Sequence, residues 1–258
     1  MNDTLKALLK KIPPVRWFAQ RLRHGARMME FRRGFRRFQN QSLALPVRFS
    51  LLWEDRQPCL DDNTGTTAFD WHYVFHTAWA ARTVAEISPD LHTDISSSLY
   101  FCSIVSAFVP VDFYDYRPAD LALSNLQSRR ADLMALPFEG GSILSLSCMH
   151  VVEHIGLGRY GDPIDPDGDL KAMAELRRVL APGGTLLFVV PVGKPKIKFN
   201  AHRIYSSRQI VESFPDLVLE EFAMQPDSPP RCELVRNAPL ELADGQNYAC
   251  GCFRFRRP

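Results

Sequence analysis

The chain has 258 residues, of which 46% are hydrophobic and 23% are charged, so its composition is that of a globular protein and excludes global disorder. Its 14 glycines and 19 prolines are too few for a collagen-like or low-complexity chain. The formal net charge of +2 argues against a strongly basic nucleic-acid binder, and the length predicts one large domain with a smaller addition.

The first 40 residues, here called the basic extension, differ in charge from the rest of the chain. They hold eleven lysines and arginines against two acids, which gives the segment a formal charge of +9 and leaves −7 for the remainder. Apolar side chains recur in it at helical spacing, so we predict helix over residues 4–38 with a break at Pro13-Pro14. The predicted apolar stripe consists of Leu5, Leu8, Leu9, Ile12, Trp17, Phe18, Leu22, Met28, Met29, Phe31, Phe35 and Phe38.

Two interpretations of the basic extension are open. It packs against the domain or a partner protein, or it lies as an amphipathic helix on an anionic membrane surface, where each basic residue contributes about 1 kcal/mol. Nucleic-acid binding is a less favoured third, because a cationic stretch indicates only a polyanion. The N-terminus lacks the apolar core of a secretory signal and no run is apolar enough to span a bilayer, so we expect a cytoplasmic protein.

The six cysteines predict buried, reduced thiols. They are scattered, no C-x-x-C pair occurs, and Cys250 and Cys252 are too close in sequence for the common zinc spacings. A reducing compartment is the simplest setting for such a set. The other four are Cys59, Cys102, Cys148 and Cys232.

Beyond the extension, residues 41–69 are rich in turn-forming residues and predict a linker. From residue 70 onward, apolar runs alternate with helical patterns, which predicts an α/β domain with a doubly wound, mostly parallel sheet over residues 70–258. The predicted strands are 91–95, 111–116, 128–133, 143–149, 185–191, 218–224 and 248–256. The predicted helices are 76–87, 169–180 and 206–214, with a turn at 181–184.

Three motifs in this domain resemble a known family. Leu136–Ser142 leads into a strand, His150–Ile155 follows that strand directly, and Leu176–Leu186 spans a helix, a Pro-Gly-Gly turn and the start of the next strand. In this order and spacing they resemble the class I S-adenosylmethionine-dependent methyltransferases, within a methyltransferase-like subgroup of unknown function that has a degenerate glycine loop. The resemblance covers residues 70–258 and implies a Rossmann-like sheet of seven strands, S-adenosylmethionine as cofactor and methyl transfer to a small molecule.

The cofactor loop is the main departure from the family pattern. Asp94 ends the first predicted strand, where the family has an acidic residue before its glycines, but serines follow it here. The cofactor has no pyrophosphate, so the loop need only let the backbone approach closely, and Ser96 and Ser97 are small enough for that. Serine nevertheless adopts a positive φ less readily than glycine.

The remaining cofactor candidates follow the next strands. Asp115 lies 21 positions after Asp94, which matches the spacing of an acid that binds ribose hydroxyls, and Asp112 is the alternative. A turn or helix cap remains an open interpretation of that acid. The resemblance also places Asp132 and Leu133 at the adenine ring and His150 near the cofactor.

Two loops supply the candidates for acceptor binding and catalysis. The resemblance places Glu153 and His154 on the acceptor side, and His202 is a candidate general base because an unperturbed pKa near 6.5 suits proton removal at neutral pH. A structural role for the His202–Arg203 pair is equally open. The acceptor-binding candidates are Tyr160, Asp162, Asp165, Arg203 and Tyr205. Acidic and aromatic residues together suit a sugar, so we predict a hydroxyl of a sugar or glycan precursor as the acceptor.

Two alternative functions are weighed against methyl transfer. The serine loop motivates a catalytically inactive binding or scaffold protein on the same fold. His150–His154 matches H-x-x-E-H, the signature of a zinc hydrolase that chelates the metal with two histidines on one helix. Gly156 and Gly158 would end such a helix within a turn, so we expect no metal at this motif.

Overall fold

The computed structural model describes residues 13–228 and 233–258, and the chain divides into two compact units, residues 1–68 and 69–258. The predicted stripe residues from Leu5 to Ile12 and Cys232 lie outside the described residues. In the first unit, helix α1 (Pro13–Ser42) begins at the two prolines, where the sequence predicted a break. Proline suits the first turn of a helix because the backbone N–H it lacks would have no partner there.

Part of the apolar stripe of α1 is used inside the first unit. The rings of Phe31 and Phe35 pack on Trp53, with centroids 6.1 and 5.0 Å away, and the Arg56 guanidinium lies 4.6 Å from the same indole ring. Other stripe members are exposed, among them Trp17, Phe18, Leu22, Met29 and Phe38. No helix in the described part of the chain is both long and apolar enough to cross a bilayer.

The second unit is built on a sheet of seven described strands. They are β1 (His92–Ile95), β2 (Val111–Asp115), β3 (Leu126–Arg130), β4 (Ile143–Met149), β5 (Leu180–Val192), β8 (Val218–Gln225) and β9 (Ala249–Arg256). They lie in the order β3-β2-β1-β4-β5-β9-β8. Neighbours from β3 to β5 are parallel, whereas β9 is antiparallel to both β5 and β8. The predicted doubly wound, mostly parallel seven-stranded sheet is therefore confirmed for the described residues.

Helices and a small hairpin complete the second unit. The described helices are α2 (Trp71–Ile87), α3 (Leu99–Val105), α4 (Gly168–Val179), α5 (Ser207–Ser213) and α6 (Glu241–Asp244), with one 3₁₀ turn at Val152–His154. Strands β6 (Lys196–Lys198) and β7 (His202–Ile204) form an antiparallel hairpin after β5. The sequence did not predict α3, α6 or this hairpin, because none is long enough to show a clear period.

Two boundaries differ from prediction by five residues, each for a local reason. Helix α2 begins at Trp71 instead of residue 76, because the Asp70 carboxylate accepts a hydrogen bond from the Tyr73 N–H at 3.1 Å and caps the helix. The predicted turn at 181–184 lies within β5. There Leu180 pairs with Ile143 and the next pair is Thr185 with Ser145, so the intervening residues bulge from the ladder.

Hydrophobic clusters cover both faces of the sheet. Alternate residues of β5 point to opposite faces, so Phe188 joins a cluster that includes Leu176 of α4, and Leu187 joins a cluster that includes Trp79 of α2. All four side chains are 3% exposed or less. Helices on both faces leave the carboxyl ends of the parallel strands as the edge where loops gather, which is where ligands bind in such folds.

Candidate functional site

Two adjoining clefts lie at this edge of the sheet. The small cleft, of about 230 Å³, lies over the ends of β1, β2, β3 and β4. The large cleft, of about 920 Å³, lies among the start of α2, the residues after β4, the tip of the β6–β7 hairpin and the residue before β9. Four side chains line both clefts, namely Tyr73, His150, His154 and Tyr160. Groups bound in the two clefts would therefore lie next to each other.

Ser96 brings the serine loop to the small cleft. Its backbone is in the left-handed region, with φ of +57°, and its N–H donates to the Tyr114 carbonyl of β2 at 2.7 Å. Its hydroxyl donates to the same carbonyl at 3.1 Å. The chain thus makes the turn that glycine makes more cheaply, and it ties the loop to β2 through the serine.

Asp94 and Ser97 lie behind the loop and do not line either cleft. Asp94 is fully buried, accepts from the Ser97 N–H at 2.9 Å and accepts from the Ser147 hydroxyl. Ser97 Oγ accepts from the Met149 N–H at 2.9 Å. Burial raises the pKa of Asp94 to about 6, against the opposing hydrogen bonds from Ser147 and Ser97. These two predicted cofactor residues brace the loop from within the sheet.

Asp115, Asp132 and Leu133 all line the small cleft. Asp115 Oδ1 accepts from the Arg117 N–H at 2.7 Å, and Asp132 Oδ1 accepts from the Met134 N–H at 2.9 Å. Each acid is therefore a turn cap and a cleft-lining carboxylate at once. The alternative acid Asp112 lies outside the cleft.

His150 stands at the junction of the two clefts. It follows β4 with a positive φ of +57° and is 8% exposed. Its Nδ1 lies 2.8 Å from Glu153 Oε1, and its Nε2 lies 3.5 Å from Cys250 Sγ. Burial opposes the charged imidazole, but Cys250 and Glu153 outweigh it and raise the pKa of His150 to about 10.

The three predicted catalytic residues, Glu153, His154 and His202, all line the large cleft. Among the described residues, Glu153 Oε2 and His202 Nε2 are buried without a hydrogen-bond partner. Burial, followed by the charge of Lys198, lowers the pKa of His202 and favours its neutral form. His154 Nδ1 lies 2.6 Å from the Ala201 carbonyl.

Tyr160 and Asp162 line the small cleft, and Tyr160 lines the large cleft as well. Two guanidinium groups lie over the Tyr160 ring, with Arg117 Cζ at 4.8 Å and Arg159 Cζ at 5.0 Å from its centroid. Asp162 shapes the loop, because its carboxylate accepts backbone N–H groups of Gly156 at 2.9 Å and Tyr160 at 3.1 Å.

The structure does not bring the other three acceptor-binding candidates, Asp165, Arg203 and Tyr205, to either cleft. Asp165 pairs with Lys171. Arg203 is buried, donates to the Ile155 carbonyl at 2.6 Å and lies 3.4 Å from Asp169.

Tyr205 completes the same buried cluster by donating its hydroxyl proton to Asp169 Oδ2 at 2.9 Å. In this structure these side chains hold the loop after β4 against α4 and β7.

The H-x-x-E-H motif does not form a chelating helix face. His150 precedes the 3₁₀ turn that holds Glu153 and His154, and no longer helix follows it before α4 in the described chain. The two histidines also have different neighbours, Cys250 for His150 and Ala201 for His154.

Sequence reasoning missed Tyr248 and Arg159 as residues of the large cleft. Tyr248 stacks on His72 with ring centroids 4.9 Å apart and contacts His202 at the same centroid distance. It reaches the cleft because the antiparallel β9 begins at the edge where the parallel strands end. In the sequence, only the position of Tyr248 just before the last strand points to the cleft. That position is informative only once the strand order is known.

Comparison with known proteins agrees with the fold. The family described as Caenorhabditis protein of unknown function, DUF268, matches residues 143–215, and no curated protein matches the chain. The N-methyltransferase NodS from Bradyrhizobium japonicum WM9, solved with S-adenosyl-L-homocysteine, is similar with a TM-score of 0.51 and 14% identity over 78% of this chain and 94% of that one. This likeness shows the Rossmann-like methyltransferase fold.

Two further solved structures are similar at lower scores. A putative sarcosine dimethylglycine methyltransferase from Galdieria sulphuraria has a TM-score of 0.49 and 17% identity over 70% of this chain and 84% of that one. Geranyl diphosphate C-methyltransferase from Streptomyces coelicolor A3(2) has a TM-score of 0.48 and 12% identity over 70% and 77%.

Proposed function

We propose that this protein transfers a methyl group from S-adenosylmethionine to a hydroxyl of a sugar or glycan precursor. The observation that carries the proposal is the pair of adjoining clefts at the carboxyl ends of the parallel strands, with four shared side chains. The small cleft is lined by the carboxylates that the ribose and adenine of the cofactor need, and the large cleft is lined by aromatic and titratable groups. The resemblance in sequence and the fold both support a methyltransferase, although fold alone does not establish function.

The residues of the small cleft fit the cofactor. The Asp115 carboxylate at the end of β2 suits the ribose hydroxyls, the Asp132 carboxylate suits the exocyclic amine of adenine, and the Leu133 N–H suits its ring. Ser96 holds the backbone in the left-handed turn that lets the chain approach a ligand closely. When bound, S-adenosylmethionine supplies a methyl group activated by its sulfonium.

The large cleft supplies the acceptor side of the reaction. His202 is kept neutral by its surroundings, and its Nε2 is a general base for the proton of an acceptor hydroxyl. Tyr160 and Tyr248 contribute aromatic surface to the wall of this cleft, which suits a sugar. Glu153 and His154 border the same space, so the chain contributes position and exclusion of water as well as proton removal.

Thermal unfolding with S-adenosyl-L-homocysteine tests cofactor binding. At 100 times its dissociation constant, the ligand should stabilise the protein by about 2.7 kcal/mol, which for this length raises the Tm by about 5–10 °C. Asp115→Asn should lose most of this rise. Asp112→Asn, which changes the same residue type three positions earlier in β2 and outside the cleft, should keep the rise.

Methyl transfer itself needs a separate measurement. Mass spectrometry of sugar acceptors incubated with protein and cofactor should show an added methyl group, and His202→Gln should abolish it while keeping the Tm rise. Normal turnover by His202→Gln would refute the assignment of the base.

A second candidate function is a binding or scaffold protein without catalysis. The observation that favours it is Ser96, whose hydroxyl bonds the Tyr114 carbonyl instead of facing the small cleft as a free donor. No Tm rise at millimolar S-adenosyl-L-homocysteine, together with no methylated product, would favour this candidate over methyl transfer.

We further propose that the basic extension binds an anionic membrane surface on the cytoplasmic side. Its support is the joint exposure of Trp17, Phe18 and Leu22 on a helix rich in arginine. The full chain should co-sediment with vesicles that contain phosphatidylserine and not with phosphatidylcholine alone, and binding should weaken as salt rises. Equal binding to both vesicles, or none, would refute this.

A further inference from the structure

A cluster of three metal-ligating side chains lies at the inner wall of the large cleft. His72 is in the first turn of α2, His150 directly follows β4, and Cys250 is the second residue of β9. One donor atom from each lies within 4.8 Å of the other two. From these residues we infer a binding site for a divalent transition metal of the zinc class, with one coordination position open to the large cleft.

The spacing of two of the donors matches tetrahedral zinc. Zinc bonds to histidine nitrogen at about 2.0–2.1 Å and to cysteine sulfur at about 2.3 Å, so the two atoms stand about 3.6 Å apart in a tetrahedral site. His150 Nε2 and Cys250 Sγ are 3.5 Å apart. The distance between these two donors is therefore the one that a bridging tetrahedral metal requires.

A carboxylate orients His150 as it does in established zinc sites. His150 Nδ1 lies 2.8 Å from Glu153 Oε1 and donates its proton there, so Nε2 is the nitrogen that would bind a metal, in exchange for its own proton. The ring of His72 hydrogen-bonds the backbone of Tyr248 and stacks on His150 with a centroid distance of 5.2 Å. The protein thus holds His150 through Nδ1, and it positions the His72 ring beside it.

The chemistry of the donor set selects the class of metal. Imidazole and thiolate are ligands of zinc and of other late first-row ions, whereas magnesium and calcium prefer oxygen. A set of two histidines and one cysteine with a fourth position for water or substrate is typical of catalytic zinc, and structural zinc has four protein ligands. His72 and His150 line the large cleft, so that fourth position faces the space proposed for the acceptor.

Metal binding needs no S-adenosylmethionine, so this site stands independently of the proposed methyl transfer. Its use in that reaction does rest on the proposed function. A hydroxyl or thiol group of the acceptor in the open position would lose its proton more readily, because the bound cation stabilises the anion.

The test uses the full chain, stripped with a chelator, reloaded with zinc alone and freed of excess metal by desalting. We expect about one equivalent of zinc per chain. Cobalt(II) in its place should give the near-ultraviolet absorption of a thiolate-to-metal bond. His72→Gln and Cys250→Ala should each weaken zinc binding by about tenfold or more, and Cys250→Ala should also remove the thiolate absorption.

Cys252→Ala is the matched control. Its sulfur lies 3.9 Å from Cys250 Sγ on the same strand and is equally buried, but it is outside the donor set, so this variant should bind zinc as the wild type does. His72 is only partly buried, so His72→Gln still tests the site if Cys250→Ala fails to fold, with circular dichroism to report folding. Less than about a tenth of an equivalent of zinc in the wild type, or unchanged binding in His72→Gln, would overturn the inference.

The two proposals fail in different ways. Zinc binding without a Tm rise from S-adenosyl-L-homocysteine would leave the metal site standing and refute cofactor binding. A Tm rise without zinc binding would support cofactor binding and refute the metal site.

Discussion

Asp94 makes the stability of the second unit depend on pH in a direction that can be worked out. Its carboxyl group is fully buried behind the serine loop, and burial raises its pKa to about 6 from an ordinary 3.8. The folded state therefore holds the proton more tightly than the unfolded chain does. The stabilisation from protonated Asp94 is complete below about pH 4 and is lost as pH rises through 6.

The magnitude follows from the difference between the two pKa values. Each pKa unit corresponds to about 1.4 kcal/mol, so the free energy of unfolding should fall by about 2–3 kcal/mol between pH 4 and pH 7 on account of this group. Asp94→Asn removes the titration and keeps a side chain of the same shape. The free energy of unfolding of the wild type minus that of the variant should therefore fall by this amount between pH 4 and pH 7. Contributions from the buried histidines are common to both proteins and cancel in the difference.

Urea unfolding of both proteins at half-unit steps from pH 4 to pH 7 measures the difference. Asp90→Asn, at an exposed acid four residues earlier, is the control and should follow the wild type at every pH. A wild type minus Asp94→Asn difference that stays constant, or rises with pH, would show that Asp94 is charged in the folded state throughout and that burial does not dominate its pKa.

Three further predictions concern the loop after β4, the buried Tyr205–Asp169 hydrogen bond and the core beside α4. A Cβ on Gly156 would lie 2.0 Å from the Asp165 carbonyl oxygen, so Gly156→Ala should destabilise the protein through both this clash and its positive φ. The control Gly161→Ala also has a positive φ but open space around it, so it should cost only the left-handed strain of about 1 kcal/mol. Urea midpoints compare the two variants, and equal losses of stability would contradict the clash. Tyr205→Phe should lower the free energy of unfolding by about 1–2 kcal/mol, because Asp169 loses a buried hydrogen-bond donor. The Tm rise from S-adenosyl-L-homocysteine should be unchanged, and loss of that rise would indicate that Tyr205 contributes to ligand binding. Leu176→Ala should cost about 2–5 kcal/mol by urea unfolding, and a loss under 1 kcal/mol would mean that the core around α4 refills the cavity.

The central strands β4 and β5 were predictable because they are largely apolar, whereas the polar β3 was predicted over residues 128–133 and forms at Leu126–Arg130. β4 runs over residues 143–149 as predicted, since buried parallel strands show their bounds in composition alone. The start of β5 was missed, because a Pro-Gly-Gly sequence predicts a turn and here forms a bulge between paired residues on either side. Only pairing with β4 distinguishes the two, and pairing is not a local property.

Part of the site was predictable because strand ends decide it. Asp115 ends β2 and Asp132 lies two residues after β3, so chain position alone puts them at the ligand edge, and both line the small cleft. Arg203 lies within β7 of the hairpin that follows β5, and its side chain turns inward, because Asp169 of α4 lies 3.4 Å away as a buried partner. A partner from another element is a long-range fact that spacing along the chain does not carry.

His150 couples the two proposed ligands through a single side chain. It lines both clefts, its Nδ1 is held by Glu153, and its Nε2 faces Cys250. A metal on Nε2 would fix the imidazole, and with it one wall of the small cleft. Thermodynamic linkage then requires that any factor by which zinc changes the affinity for S-adenosyl-L-homocysteine equals the factor by which that ligand changes the affinity for zinc. Two titrations, one of each ligand in the presence of the other, must give the same factor, and a factor different from one would show that the two clefts are coupled, whereas a factor of one would show that they are independent.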